Sequence, residues 1–190
     1  MKKYISLLCL LLITTVFYAQ KVETNVIDSK LNLVERYTPW EKFSRAGEFN
    51  SYFRIRESQW DTSFYFELKI ILVTPADFAI AQGEDLVLTL ANGDKLTLKC
   101  FRSATTCTGC GSAGTIAGSQ VPGIQVIYKL PKKEMELLRY NPILTKEQEE
   151  KHRKVNVEKM AITASNKVIE NNLTERSYYL IRKSIRAILK

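Results

Sequence analysis

The stretch Leu86-Val-Leu-Thr-Leu-Ala-Asn-Gly-Asp-Lys-Leu-Thr-Leu-Lys-Cys100 constrains the fold more than any other part of the chain. Leucine recurs at every second position on both sides of Asn92-Gly93, so two strands meet at a turn. A two-residue turn at Asn92-Gly93 is the first candidate. Parity rejects it, because that register sets Leu90 opposite Lys95 and mixes an apolar face with a polar one. A three-residue loop, Ala91-Asn92-Gly93, instead pairs Leu88 with Leu96 and Leu86 with Leu98. It also places glycine where the backbone needs positive φ. The same alternation carries Cys100 onto the buried face.

A second hairpin is written into residues 51–73. Phe53 and Ile55 alternate with Arg54 and Arg56. Across a connection at Ser58–Thr62, Phe64, Phe66, Leu68, Ile70 and Leu72 share one strand face, with Glu67 and Lys69 on the other. Aromatic residues are dense from Tyr37 to Phe78, and their strand spacing favours core over a sugar-binding platform. Ile124–Leu130 reads as a further strand and Val155–Thr163 as the last one. Pro131 in a first helical turn, followed by Met135, Leu137 and Leu138, predicts a short helix ending before Pro142. Thr145-Lys-Glu-Gln148 is a capping box opening a charged, solvated helix to Lys154 that contains His152, the chain's one histidine. The final helix is predicted from Asn172, with Tyr178, Ile181, Ile185, Ile188 and Leu189 inward and Arg176, Arg182, Lys183, Arg186 and Lys190 as a basic face. Hairpins followed by helices indicate an α+β domain over residues 20–190, with an antiparallel sheet or sandwich-like core and two or three helices.

The first 19 residues do not belong to that domain. Lys2 and Lys3 precede an apolar run from Tyr4 to Phe17, and Ala19 is a small residue before Gln20, the layout of a secretory signal peptide. The expected location is periplasmic or extracellular, with no transmembrane span left in the mature chain. Loss of Lys2 and Lys3, with no acid, lowers the formal charge from +8 to +6. That dispersed balance is poor support for a nucleic-acid partner.

Residues 101–123 read as a long Gly/Ser/Thr loop with two overlapping motifs. Gly109-Cys-Gly-Ser-Ala-Gly114 matches the dinucleotide fingerprint, yet Gly118, Pro122 and Gly123 preclude the helix that must receive the phosphates. Cys107-Thr-Gly-Cys110 matches the spacing of thiol oxidoreductases and of half a zinc site. Neither flank reads as a helix that would depress a thiol pKa, and Cys100 and His152 alone do not make a second ligand pair. Cys107, Cys110 and Cys100 are therefore disulfide candidates, with Cys100 the expected leftover thiol; no catalytic residue, cofactor or metal is assigned. The polar loop residues Arg102, Thr105, Thr106, Thr108, Ser112 and Thr115 are the candidate binding residues.

The leader ending in Ala19-Gln20 and the stretch Gly83-Glu-Asp-Leu-Val-Leu-Thr-Leu-Ala-Asn-Gly93 resemble small exported proteins of unknown function from Bacteroidota. In those, a Gly-Asp/Glu-x-Leu hairpin precedes a strand, a short Lys-x-x-Met-x-Leu helix, and a last strand and helix. Lys132–Leu138 and then Val157–Lys190 follow that order. The resemblance spans residues 80–190 and implies an exported α+β fold with no transferable active site. The expected function is a non-enzymatic exported domain that binds a protein or cell-envelope partner. Two alternatives stay open: a thiol–disulfide redox protein using Cys107 and Cys110, and a structural envelope protein held on the membrane surface by the basic helix. The sequence sets no oligomeric state.

Overall fold

The computed structural model describes residues 22–28, 33–46, 49–72, 79–111, 121–139, 156–164 and 167–190. The predicted signal peptide, the predicted capping-box helix and His152 lie outside the described residues. The larger sheet is built on the predicted second hairpin. Strands β4 (Phe49–Ser58) and β5 (Ser63–Leu72) pair antiparallel, with Phe53 opposite Leu68 and Ile55 opposite Phe66. Strand β10 (Gly123–Lys129) adds on the far side of β5.

Three strands with no strong alternation complete this sheet. They are β1 (Glu23–Asp28), β2 (Leu33–Tyr37) and β3 (Glu41–Ala46), giving the order β1-β2-β4-β5-β10 with β3 also on β4. The ten residues of β4 are shared: β3 pairs with its first half and β2 with its last three residues. Thr38 fills the gap between them. Its N–H donates to Ile55 O at 3.0 Å, and its hydroxyl accepts the Ile55 N–H at 2.9 Å. The buried β4 backbone thus stays satisfied where its partner strand changes.

The second sheet has the order β12-β11-β7-β8, formed by β7 (Asp85–Leu90), β8 (Lys95–Lys99), β11 (Val157–Ala164) and β12 (Lys167–Asn172). The β7–β8 register is the predicted one, with Leu88 opposite Leu96 and Leu86 opposite Leu98. Leu90 N–H donates to Asp94 O at 2.8 Å, which leaves Ala91–Gly93 as the loop, and Gly93 has φ +86°. Strand β12 and the helix after it differ from the sequence reading. Asn172 ends an edge strand, and helix α2 is Glu175–Ile188. Thr174 caps it, its hydroxyl accepting the Ser177 N–H at 3.3 Å.

The inner faces of both sheets and one side of α2 share a single core. Phe53, Ile55, Phe66, Leu68, Ile124 and Val126 meet Leu86, Leu88, Leu98, Met160 and Ile162, and Ile181, Ile185 and Ile188 pack from the helix. Each such aliphatic side chain contributes about 1.5–3 kcal/mol by leaving water. The predicted helical stripe needs adjustment: Leu180 and Ser177 are buried, whereas Tyr178 and Leu189 are half-buried. Helix α1 (Lys132–Leu138) buries Met135 and Leu138, while Leu137 faces solvent. Pro131 lies just outside α1 as its cap residue rather than in the first turn. Among the described residues no helix is long and apolar enough to cross a membrane.

Candidate functional site

Residues 100–111 do not form the unstructured excursion that their composition predicts. Cys100 points into the core opposite Tyr128 of β10, as strand parity requires. From there the chain follows the free edge of β10. Phe101 N–H donates to Ile127 O at 2.8 Å, and Cys107 exchanges hydrogen bonds with Gly123 at 2.9 and 3.2 Å. Seven steps of chain, Cys100 to Cys107, lie against five of β10, Tyr128 to Gly123, so the segment bows outward. The bow is held on its other side by β9 (Ala104–Thr105), which pairs with β6 (Ala79–Ile80), and by Ser103, whose hydroxyl accepts the Gln82 N–H at 3.0 Å.

The far end of this ledge is pinned covalently. Cys107 and Cys110 form a disulfide with Cα atoms 5.4 Å apart, and Cys100 is the free, buried thiol. The N–H groups of Gly109 and Gly111 both reach Val121 O, at 3.0 and 3.1 Å. Gly111 and Gly123 touch so closely that a Cβ on Gly123 would lie 2.5 Å from Gly111 Cα and from Ile70 O. Small residues are therefore required here for backbone-to-backbone packing, not for cradling phosphate.

This geometry exposes Arg102, Thr105 and Thr108, while Thr106 is half-buried and engaged. Ser112 and Thr115 lie outside the described residues. Phe101 joins the site although the sequence reading passed over it; it is 45% exposed, with its ring 5.3 Å from Tyr65 in an edge-on contact. Parity carried the signal, since an inward Cys100 turns residue 101 outward.

Beyond Tyr65 the outer sheet face holds a charged network instead of a bare polar surface. Arg56 stacks on Tyr65 at 4.4 Å, and Arg54 lies over Tyr37 at 4.4 Å and Trp40 at 4.6 Å. Glu67, only 2% exposed, is shared between Arg54 at 2.7 Å and Arg56 at 3.0 Å. Gln125 donates to it at 3.4 Å, and Arg56 also holds Glu35 at 3.0 Å. Lys69 sits 4.4 Å from the Trp40 ring; burial, with Arg54 nearby, lowers its pKa against the pull of Glu67. Glu67 and Lys69 lie on the strand face opposite Phe66 and Leu68, as alternation predicts, and both are buried there under flanking aromatic and arginine side chains.

The thiols have separate chemistries. Cys100 donates to Arg102 O at 3.0 Å, and burial raises its pKa, which disfavours the thiolate. Five residue steps along β10 separate its contact from that of Cys107, about 17 Å, so Cys100 does not exchange with the disulfide in this fold. Tyr128 is fully buried, its hydroxyl without a hydrogen-bond partner among the described residues, and burial pushes the phenol far up. Cys107 opens a turn rather than a helix, so it lacks the helix dipole that stabilises reactive thiolates. No group of three or more His, Cys, Asp or Glu among the described residues is placed to hold a metal ion.

The basic helical face also changes. Arg182 is 6% exposed and sits with the core side of α2, which leaves Arg176, Lys183, Arg186 and Lys190 outward. No protein-family model, curated protein or solved structure matches the chain.

Proposed function

We propose that the chain is an exported, non-enzymatic domain that loses residues 1–19 and binds a protein or cell-envelope component through the ledge 101–108. We read its two sheets as the halves of a sandwich-like core. One observation carries the binding reading. The ledge backbone is committed to β10 and the disulfide, while Phe101, Arg102, Thr105 and Thr108 are turned to solvent. A rigid backbone with outward side chains loses little conformational entropy on binding.

A photo-crosslinker at Thr105, compared with one at the exposed Thr97 of β8, tests this in the native envelope. Capture of one component from Thr105 alone, abolished by Arg102→Glu, is the expected result. Equal capture from both positions overturns it.

The disulfide itself favours a second reading, thiol–disulfide exchange at Cys107 and Cys110. After mild reduction, a Cys107 thiol alkylated rapidly at pH 6 would replace the binding reading with this one. A thiol that reacts only at alkaline pH removes it.

A further inference from the structure

Asn92-Gly93 is the chain's one Asn-Gly pair, the sequence at which an asparagine most readily loses ammonia, because glycine has no side chain to shield its backbone nitrogen. The chemistry is intramolecular. The Gly93 nitrogen attacks Asn92 Cγ, its proton leaves with Nδ2 as ammonia, and a succinimide ring closes. Water then opens the ring at either carbonyl and leaves aspartate or isoaspartate. Water reaches the pair freely, since Ala91 to Asp94 are all exposed.

Exposure alone would leave the site reactive, but the loop holds each reacting group. Gly93 N–H donates to Leu90 O at 2.9 Å, and Leu90 N–H donates to Asp94 O at 2.8 Å. The attacking nitrogen is thus part of the turn that closes β7 on β8. The leaving group is held as well, with Asn92 Nδ2 donating to Asp94 Oδ2 at 2.7 Å. Asn92 Oδ1 accepts the Asp94 N–H at 3.0 Å, a bond that polarises the carbonyl and assists attack only once the nitrogen is free. Freeing it means breaking the bond to Leu90, whose carbonyl oxygen would also repel a deprotonated nitrogen. The Gly93 hydrogen bond is therefore the gate. Ala91 N–H, donating to Asn156 O at 2.8 Å, further ties the loop to the entry of β11.

We propose that Asn92-Gly93 is a self-modification site gated by the fold, closed in the native hairpin and converted to isoaspartate once the loop opens. The product matters because of the loop's length. Isoaspartate runs the main chain through its side-chain carbon and adds one backbone atom to a three-residue loop. That loop length sets Leu88 opposite Leu96 and Leu86 opposite Leu98. Conversion also removes the amide that Asp94 holds and puts a second carboxylate beside it. A molecule that has lain unfolded is thereby marked covalently and does not re-form the same hairpin. This site is independent of the ledge, and either reading can fail without the other.

The test is peptide mapping by mass spectrometry on the full chain, held at neutral pH either folded or unfolded in guanidinium. Conversion at Asn92 is expected to be about tenfold faster, or more, in the unfolded chain. Asp94→Ala removes the carboxylate that holds the amide and should speed conversion in the folded chain about fivefold. Hydrogen exchange at the Gly93 amide should rise in proportion, because both events need the same bond broken. Conversion of unfolded Asp94→Ala supplies the reference for any direct effect of the carboxylate, and melting curves confirm folding. Asn92→Ser keeps a side-chain oxygen for the turn and has no ammonia to lose. It should keep its refolding yield after prolonged unfolding, while the wild type loses yield. Equal conversion in folded and unfolded chains overturns the proposal. So does a folded Asp94→Ala chain that converts no faster than wild type, or an Asn92→Ser chain that loses refolding yield as wild type does.

Discussion

Glu67→Gln is the sharpest test of the outer sheet face. The substitution keeps the shape of the side chain and removes the anion shared by Arg54 at 2.7 Å and Arg56 at 3.0 Å. At an effective dielectric near 20, each contact is worth roughly 4 kcal/mol of gross attraction. Desolvation of the buried carboxylate offsets much of that in the wild type. Removing one partner, however, leaves two guanidinium groups facing a neutral amide. Breaking a buried pair in this way costs about 3–5 kcal/mol. The lower end applies here, because Arg54 and Arg56 keep 23% and 15% exposure and Arg56 retains Glu35. A loss of about 3 kcal/mol corresponds to a Tm drop of roughly 6–12 °C for a chain of this size. Urea unfolding at pH 7 measures it directly. The triple replacement Glu67→Leu, Arg54→Met, Arg56→Met should recover most of the loss, because apolar isosteres avoid the desolvation cost. A Glu67→Gln protein within 1 kcal/mol of wild type would show that the arginines are held by the aromatic rings alone.

Other consequences are measurable in the same way. Gly123→Ala places a methyl group against backbone atoms of Gly111 and Ile70 that cannot rotate aside, and should cost about 1–3 kcal/mol in urea unfolding. Cys107→Ser with Cys110→Ser removes a four-residue ring, for which loop-closure entropy gives about 2 kcal/mol. Hydrogen exchange should then accelerate first at the Gly109 and Gly111 amides. Glu41→Gln should stabilise the protein at pH 7. Burial raises the Glu41 pKa in the folded state above its ordinary 4.5, so its contribution is fully present below 4.5 and is lost as pH rises through the folded value. The gain from Gln should therefore vanish in melts below pH 4.5, and a constant gain across pH would refute the assignment.

How much of this was legible depended on how much of each face is buried. Leu86 to Leu98 is buried on one side only, so alternation set even the loop length and the fate of Cys100. Strand β12 buries little beyond Asn171, so Lys167–Asn172 carries no periodic signal, and Asn172 looks like the helix cap that Thr174 in fact supplies. Strands β1 and β2 carry no signal for the same reason, with β2 half-buried throughout and β1 exposed where its side chains are described, while β3 buries Phe43 and its neighbour Ser44 together and so shows no alternation. Alternation gives the face of Glu67 but not its burial. Its charge reads as solvent-facing unless one sees that Arg54 lies directly across from it. For the ledge, composition gave flexible chemistry, whereas the ordering comes from hydrogen bonds to β10, a strand some twenty residues away along the chain. Such long-range pairing leaves no local pattern.

The seam between Cys100 and Gly123 has one more consequence. Strand β10, Gly-Ile-Gln-Val-Ile-Tyr-Lys, has high β-propensity, one charge and no proline. An open edge on such a strand is a template for cross-chain pairing and fibril growth. The ledge occupies that edge with the chain's own backbone and is latched by the disulfide. Reducing Cys107–Cys110 would then bear on the shelf life of the protein as well as on its melting temperature, because it unlatches the guard on an amyloid-prone strand.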